Sequence, residues 1–537
     1  MRPCFKAGPT LQPTPRRLRL ARHARAAVKC TARTVLENRR GRFLVATHTS
    51  AGVLYELRPL RKSDSTLTIA RAADRSRPQA PDHRQGLKLG PFLTQGRSVA
   101  TSAAGRPASL TSRRRIFAKR DEYGGFAIRL AYMASAFLLS VLLARLLGPA
   151  SLGRYYGALA WILIASTFAQ AGWNTFLVRE VHLLQADGRS GALIGLIRAA
   201  VQTASAISLL TGATVLIVGG LLLGRADLPL LVLGTPAILL LALSSVGDAV
   251  VRGCGRPLAS LLGEYLARPG VQILALALIA AGMFAISPTP FAAMASFLLA
   301  AAAGSLVTYA LTSSALSPHR GSRAEAPPRG AWQGSFFRTA LVGCLVALNL
   351  QIGTLILSRL SPEPEVALFR IAQQLSLLLP FGLAVVSSLY ATRFAEYRRA
   401  DDQTALRRLA VRASLISLAI ALPLALLFLL LGAPLIRLLY GSAFAAAAGP
   451  LLVMTAGQVI NAGLGIGMAV AIASHREKAA LWAQVAGLAV NAGACLLLIP
   501  RFHAVGAALG SSAGLAVFNV LLLVLLVRPA PRLPATS

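Results

Sequence analysis

From residue 121 onward the chain is a succession of long apolar runs separated by short polar turns. Twelve runs of about 20 residues can be marked, at 126–147, 155–177, 200–223, 229–250, 267–286 and 290–313, then 335–357, 368–391, 409–431, 447–472, 479–500 and 504–527. Each is long enough to cross the ~30 Å hydrocarbon core of a bilayer. Backbone groups in lipid have no water to bond with, so runs of this kind predict helices. Between the sixth and seventh runs lies the polar stretch 314–334, rich in Pro and Arg, which reads as a linker. The pattern is therefore six plus six. It also repeats. LARLLGPASLGRYYGA (143–158) and LSRLSPEPEVALFRIA (357–372) share Leu143/Leu357, Arg145/Arg359, Leu146/Leu360 and Ala158/Ala372 at a fixed offset, and Tyr155 matches Phe369 in type. Duplicated halves are a common construction of secondary transporters.

Composition agrees. The 537 residues are 55% hydrophobic and 14% charged, with a mean hydropathy of +0.62, whereas soluble domains carry about 25% charged residues. The expected fold class is an all-α polytopic membrane protein, with about twelve transmembrane helices in two six-helix bundles around a central cavity. The expected domains are a tail (1–120), a first bundle (121–313), a linker on the cytoplasmic side (314–334) and a second bundle (335–530).

The net charge of +36 is unevenly spread, and residues 1–120 hold 27 Lys/Arg against 5 Asp/Glu. So basic a stretch suits nucleic acid or an anionic membrane surface. Its frequent Pro and Arg and its lack of apolar periodicity read instead as a disordered tail, and no nucleic-acid partner is expected. No Met occurs between Met1 and Met133, so a second reading is that translation starts further along. The tail shows no apolar stretch of the ~7–15 residues expected of a secretory signal, although its Arg-rich, acid-poor composition is shared with transit peptides.

The remaining charges orient the helices. With residue 120 in the cytoplasm, 20 Lys/Arg fall in inner loops and termini and six (Arg145, Arg154, Arg225, Arg359, Arg437 and Arg501) in outer loops. This positive-inside bias supports twelve spans with both termini in the cytoplasm.

Candidate chemistry is sparse. Cys4, Cys30, Cys254, Cys344 and Cys495 form no CxxC pair, so neither a disulfide framework nor a zinc site is expected. There is no P-loop, no HExxH and no metal-spaced acidic cluster, so neither a cofactor nor direct ATP drive is expected. Gly510–Gly514 spells G-S-S-A-G, but within an apolar helix, where the glycines read as helix-packing positions. Asp248 and Glu264 fall near the inner ends of spans 4 and 5, and Glu363 and Glu365 in an outer loop, leaving the span centres without acid. An enzyme is not expected.

What remains is polar residues inside spans, which are costly in lipid and usually face a bundle interior or a wet cavity. Arg129 is in span 1, Gln170 and Asn174 in span 2, Asn349 and Gln351 in span 7, and Arg370, Gln373 and Gln374 in span 8. These are the first two spans of each half. If the halves face each other, Arg129, Gln170, Asn174, Asn349, Gln351, Arg370 and Gln373 are the candidate substrate-binding residues. The alternative for the amides is helix–helix hydrogen bonding. For Arg370, placed close to the outer interface, it is snorkelling.

Four segments resemble the polysaccharide flippases of the multidrug/oligosaccharidyl-lipid/polysaccharide exporter superfamily: LARLLGPASLGRYYGALAWI (143–162), VALFRIAQQLSLLLPFGL (366–383), IRLLYGSAFAAAAGPLLVM (436–454) and NAGACLLLIPRFHAVGAALGSSAG (491–514). The resemblance covers about residues 122–530. It implies two bundles around a cavity, and movement of an undecaprenyl-diphosphate-linked oligosaccharide to the outer leaflet for surface polysaccharide (O-antigen or exopolysaccharide) synthesis. Partners would be that lipid-linked oligosaccharide, membrane lipids, a polysaccharide polymerase and glycosyltransferases. A cation such as Arg129 would suit the diphosphate, and the amides would suit sugar. One departure is Gly353, where relatives often carry an acid in mid-span 7, which weakens cation coupling through that span. A drug or metabolite antiporter of the same superfamily is the first rival and predicts a buried acid. A membrane-embedded polyprenyl-lipid transferase is the second, and the loops are too short and too poor in His, Asp and Glu for it.

Overall fold

The computed structural model describes residues 33–38, 42–49, 52–56 and 108–527, apart from 171, 224–226, 284–286, 320, 326–332, 401 and 475. It divides into two units, Met1–Arg106 and Pro107–Ser537.

In the first unit β1 (Arg33–Asn38), β2 (Arg42–Thr49) and β3 (Gly52–Glu56) form an antiparallel sheet in the order β1-β2-β3. Val35 is opposite Val45 and Ala46 opposite Tyr55. The expected unstructured tail over 1–120 thus differs from the structure at these strands, and again at Ala108, where the first helix begins. The strands use short β-branched and aromatic patches (TVL, FLVATHT, GVLYE), which fit a pleated surface but are too brief to stand out in so basic a stretch.

The second unit is helical. Ten described helices are long and apolar enough to span a membrane. Two of them are double. Ala108–Gln170 is broken at Gly148, with φ 71°, beside Pro149. Glu477–Val527 is broken at His503, with φ 46°, after Pro500. A left-handed residue next to a proline cannot continue a helix, so each is two spans. The twelve helices are α1 (108–147), α2 (149–170, continued by Trp173–Ala186), α3 (Ser190–Leu222), α4 (Leu228–Gly253), α5 (Leu262–Ala280), α6 (Pro290–Ala315), α7 (Gln333–Leu360), α8 (Glu363–Arg399), α9 (Gln403–Tyr440), α10 (Ser442–Ala473), α11 (477–502) and α12 (504–527). They match the twelve apolar runs. Several start earlier than the runs did: α1 at Ala108 against 126, α3 at Ser190 against 200, and α5 at Leu262 against 267.

The halves are locked together at the end carrying the α1–α2 turn, here the Gly148 end. A Cβ on Gly153 would stand 1.8 Å from the carbonyl oxygen of Glu363, so only glycine lets the α1–α2 and α7–α8 turns approach this closely. Arg145 of α1 donates to the last carbonyls of α9, from Nε to Leu439 (2.8 Å) and from Nη2 to Leu438 (2.5 Å). Tyr440 of α9 bonds Ser140 of α1 at 2.9 Å. One continuous apolar core runs through the first half and across this end, including Leu143, Tyr155, Trp173, Leu357, Phe369, Tyr440 and Phe444. Toward the opposite end, which carries the linker, the described residues of the second half form two small separate clusters, around Phe394 and Leu522. Leucines such as Leu221 (79% exposed) and Leu497 (76% exposed) cover the outside, as a lipid-facing surface requires.

Candidate functional site

A cavity of about 200 Å³ lies where α1, α2, α5, α6 and α8 converge, between the halves. Each wall follows from helical spacing. Tyr132, Ala136, Leu139, Ser140 and Leu143 form one face of α1, and Tyr155, Tyr156, Leu159 and Leu163 one face of α2. α5 adds Arg268, Pro269 and Gln272, α6 adds Phe297, and α8 adds Arg370 and Gln374.

Arg370 is the centre of the second half's wall. Its Nη1 donates to Oε1 of Gln351 (3.0 Å) and to Oε1 of Gln373 (2.7 Å). Gln373 in turn donates Nε2 to the Leu350 carbonyl at 3.1 Å, which fixes its amide with the oxygen toward the arginine. The guanidinium lies over the Tyr156 ring, 5.0 Å from its centroid, a favourable cation–π contact. Tyr156 and Arg370 occupy equivalent places in the repeat, so equivalent positions of the two halves meet at their interface. Among the described residues no carboxylate is within ion-pair distance of Arg370. It is a half-buried cation held by neutral groups and open to an anion.

The first half's wall is built differently. Gln272 donates Nε2 to the Tyr155 hydroxyl at 3.3 Å. Ser140 donates to the Phe137 carbonyl at 2.8 Å, which leaves its oxygen to accept from Tyr440. Arg268 faces the cavity and also stands 3.7 Å from Glu264. Behind it is a second, small cavity of about 30 Å³, lined by Gln170, Ser244, Ser245, Asp248, Glu264 and Arg268. That is room for one water. Asp248 is 4% exposed, and its Oδ1 accepts from Thr308 at 3.1 Å. Arg252 bonds the Asp248 carbonyl at 3.3 Å and also donates to Asn174 Oδ1.

The expected site residues therefore separate. Arg370, Gln351 and Gln373 come together, with Arg370 at the cavity and not snorkelling. Gln170 and Asn174 turn away from it. Gln170 lines the small cavity, and Asn174 bridges α2 to α4 through Ser245 (3.2 Å) and Arg252. Gly172, with φ 80°, bends α2 between them and turns the following segment toward α4. Asn349 accepts from Asn491 of α11 (2.6 Å to Oδ1), a helix–helix contact. Arg129 is exposed, near the Tyr132–Tyr265 ring pair (4.7 Å) beside the cavity. Missed by the sequence reading were the tyrosines, Gln272 and Arg268, the last because it was counted in a loop. Asp248 lies five residues inside the end of α4, near the inner end of its span as the sequence placed it, and the structure adds that it is buried.

Comparison with known proteins agrees with this architecture. The sequence profile described as polysaccharide biosynthesis protein matches residues 124–390. Among solved structures, a lipid II flippase MurJ in an inward closed conformation aligns with a TM-score of 0.60 at 14% identity, over 75% of this chain and 87% of that one. An inward-facing multidrug resistance MATE family transporter of the MOP superfamily aligns with a TM-score of 0.58 at 15% identity, over 73% and 93%. No curated protein sequence matches significantly. The profile spans the first two of the four segments that carried the resemblance, and the chain is a multi-pass membrane protein that shares the fold of this flippase and this transporter and bears the polysaccharide-biosynthesis signature over residues 124–390.

Proposed function

We propose that the protein flips an undecaprenyl-diphosphate-linked oligosaccharide from the cytoplasmic to the outer leaflet of the inner membrane. The observation that carries this reading is Arg370, a cation without a carboxylate partner among the described residues, facing Arg268 across a cavity of tyrosines and glutamines at the junction of the halves. An unpaired charge inside a membrane protein is strongly unfavourable, and an anionic ligand removes that cost. Arginine forks match phosphate oxygens in pairs. Tyrosine rings and amides beside them suit a sugar. The lipid tail stays in the bilayer.

The cavity is small, since sites for drug-sized ligands run ~300–1,000 Å³. It must widen at the linker end to admit sugar, and the weak packing there allows it. Alternating access then exchanges this state, sealed at the Gly148 end, for one sealed at the linker end. The arginine-rich linker end is assigned to the cytoplasm by the loop charges, as are both termini. A polymerase and glycosyltransferases would supply and consume the lipid-linked units. Deleting the gene should abolish surface polysaccharide and leave lipid-linked repeat units on the cytoplasmic side. Normal surface polysaccharide without accumulation would overturn the assignment. A second reading, cation-coupled antiport of a small molecule, draws on the buried Asp248. It predicts resistance or metabolite export phenotypes in place of polysaccharide loss.

A further inference from the structure

Arg268 lines two cavities at once, the central one and the small acidic one behind it. This position follows from an irregular turn. Leu262–Ala267 is a π-helical turn, and Pro269, just after it, has no N–H for the ordinary bond back to Tyr265. At the same turn a Cβ on Gly263 would lie 2.2 Å from Thr308 Oγ1 and 2.9 Å from the Gly304 carbonyl. α5 and α6 therefore touch along backbone, and Arg268 is set at the boundary between the two spaces. Its partner Glu264 is 3.7 Å away, with 45% of its side chain exposed, against 22% for Arg268. The pair is long and partly wet, the kind worth little in isolation. Asp248 adds a second negative group. One of its oxygens is bonded to Thr308 and the other accepts no hydrogen bond from the described residues, although the residue is 4% exposed.

We propose that Glu264, backed by Asp248, is a resident counter-anion for Arg268 that the substrate's diphosphate displaces. The proposal rests on the flippase reading above. Its logic is that of a carrier that must also return empty. With no ligand, an unpaired Arg268 at the moving interface would oppose the return, and Glu264 neutralises it. With ligand, the diphosphate takes the guanidinium over. A weak, tethered ion pair suits this exchange, because a strong one could not be displaced. The other groups around the acids are Arg252 on α4, Tyr265 on α5, Thr308 on α6, Gln170 and Asn174 on α2, and Arg129 and Tyr132 on α1 beside Tyr265. None of the cations among them lines the central cavity, so Arg268 is the one the ligand and the acids share.

The role of Glu264 is positioning, and the test separates it from general electrostatics. Farnesyl diphosphate binding is measured on the full chain in detergent, with wild type, Glu264→Gln, Arg268→Gln and the double variant. Glu264→Gln should lower the Kd about three- to tenfold. In the Arg268→Gln background the same change should have no effect, since the competition is gone; such non-additivity is the signature of a direct coupling. In proteoliposomes Glu264→Gln should lower both KM and kcat for flipping, because loading improves while the empty return slows. Asp248→Asn, which leaves Glu264 in place, should shift the Kd the same way but less, and it serves if Glu264→Gln does not yield monodisperse protein. An unchanged or weaker Kd in Glu264→Gln, or a tightening that persists without Arg268, overturns the proposal. If folded wild type binds no prenyl diphosphate, the flippase reading falls and this proposal with it. If wild type binds and Glu264→Gln binds the same, only this proposal falls.

Discussion

The two halves hold their polar groups in opposite ways. The first half is ionic: Asp248, Glu264 and Arg268 line one small cavity, with Arg268 beside Glu264, Thr308 bonded to Asp248, and Arg252 bonded to Asn174 next to them. The second half is neutral. Asn491 bonds Asn349, and Asn519 bonds Asn461, which bonds Gln458, all as amide pairs between 2.6 and 3.1 Å. Its single cation at the cavity, Arg370, is held only by amides and a tyrosine ring. The repeat preserves the scaffold, with Tyr155 and Phe369 both buried, and diverges at the walls of the cavity. One half offers a cation with its own counter-ion; the other offers a cation that waits for one.

The sharpest way to break this contrast is to remove each cation. Arg370→Ala should cut flipping about 100-fold, close to the ~3 kcal/mol of a lost charged hydrogen-bonded contact. Arg268→Gln should cut it only about tenfold, because its gain on binding is offset by displacing Glu264. Equal losses in the two variants would erase the distinction. Initial rates in proteoliposomes read both. Next, replacing Gln351 and Gln373 together by Ala should raise KM about tenfold and leave the protein folded, since they aim Arg370 and bury no core. Asn491→Leu tests the amide side: it strands Asn349, and unfolding in detergent should show a loss of about 1–3 kcal/mol, the cost of an unpaired buried polar group. The smallest effect is expected for Arg129→Ala, under about threefold in KM, because Arg129 is exposed and outside the cavity lining. A larger loss there would move the site toward the mouth.

Much of the architecture was legible in the sequence because lipid forces it: runs such as 409–431 have no stable option but a helix. The α11–α12 break was visible as the gap between the runs 479–500 and 504–527, and the structure adds what holds it, the Glu365 carboxylate accepting from the Ala504 N–H at 3.0 Å and Ser361 bonded to His503 at 3.0 Å. The start of α5 was misplaced because LGEYLARPG carries two charges and a proline, which read as loop. In the structure they are the wide turn that brings Arg268 to the cavity. Arg370 with Gln351 and Gln373 could be found as polar positions in facing spans. Gln170 and Asn174 belong to the same class by composition, yet face α4, because sequence spacing gives a shared face and not the neighbour on it. The cavity tyrosines gave no signal, since Tyr in a membrane chain reads first as an interfacial residue.

The central claim is that one interface cavity, with Arg370 at its heart, carries a polyprenyl-diphosphate sugar across the bilayer. Its most direct test is the transbilayer movement of a fluorescent polyprenyl-diphosphate oligosaccharide in proteoliposomes holding wild type or Arg370→Ala. The account predicts rapid movement with wild type and a rate near that of protein-free vesicles with the variant. Movement no faster than in protein-free vesicles with wild type, or equal rates for the two proteins, would contradict it.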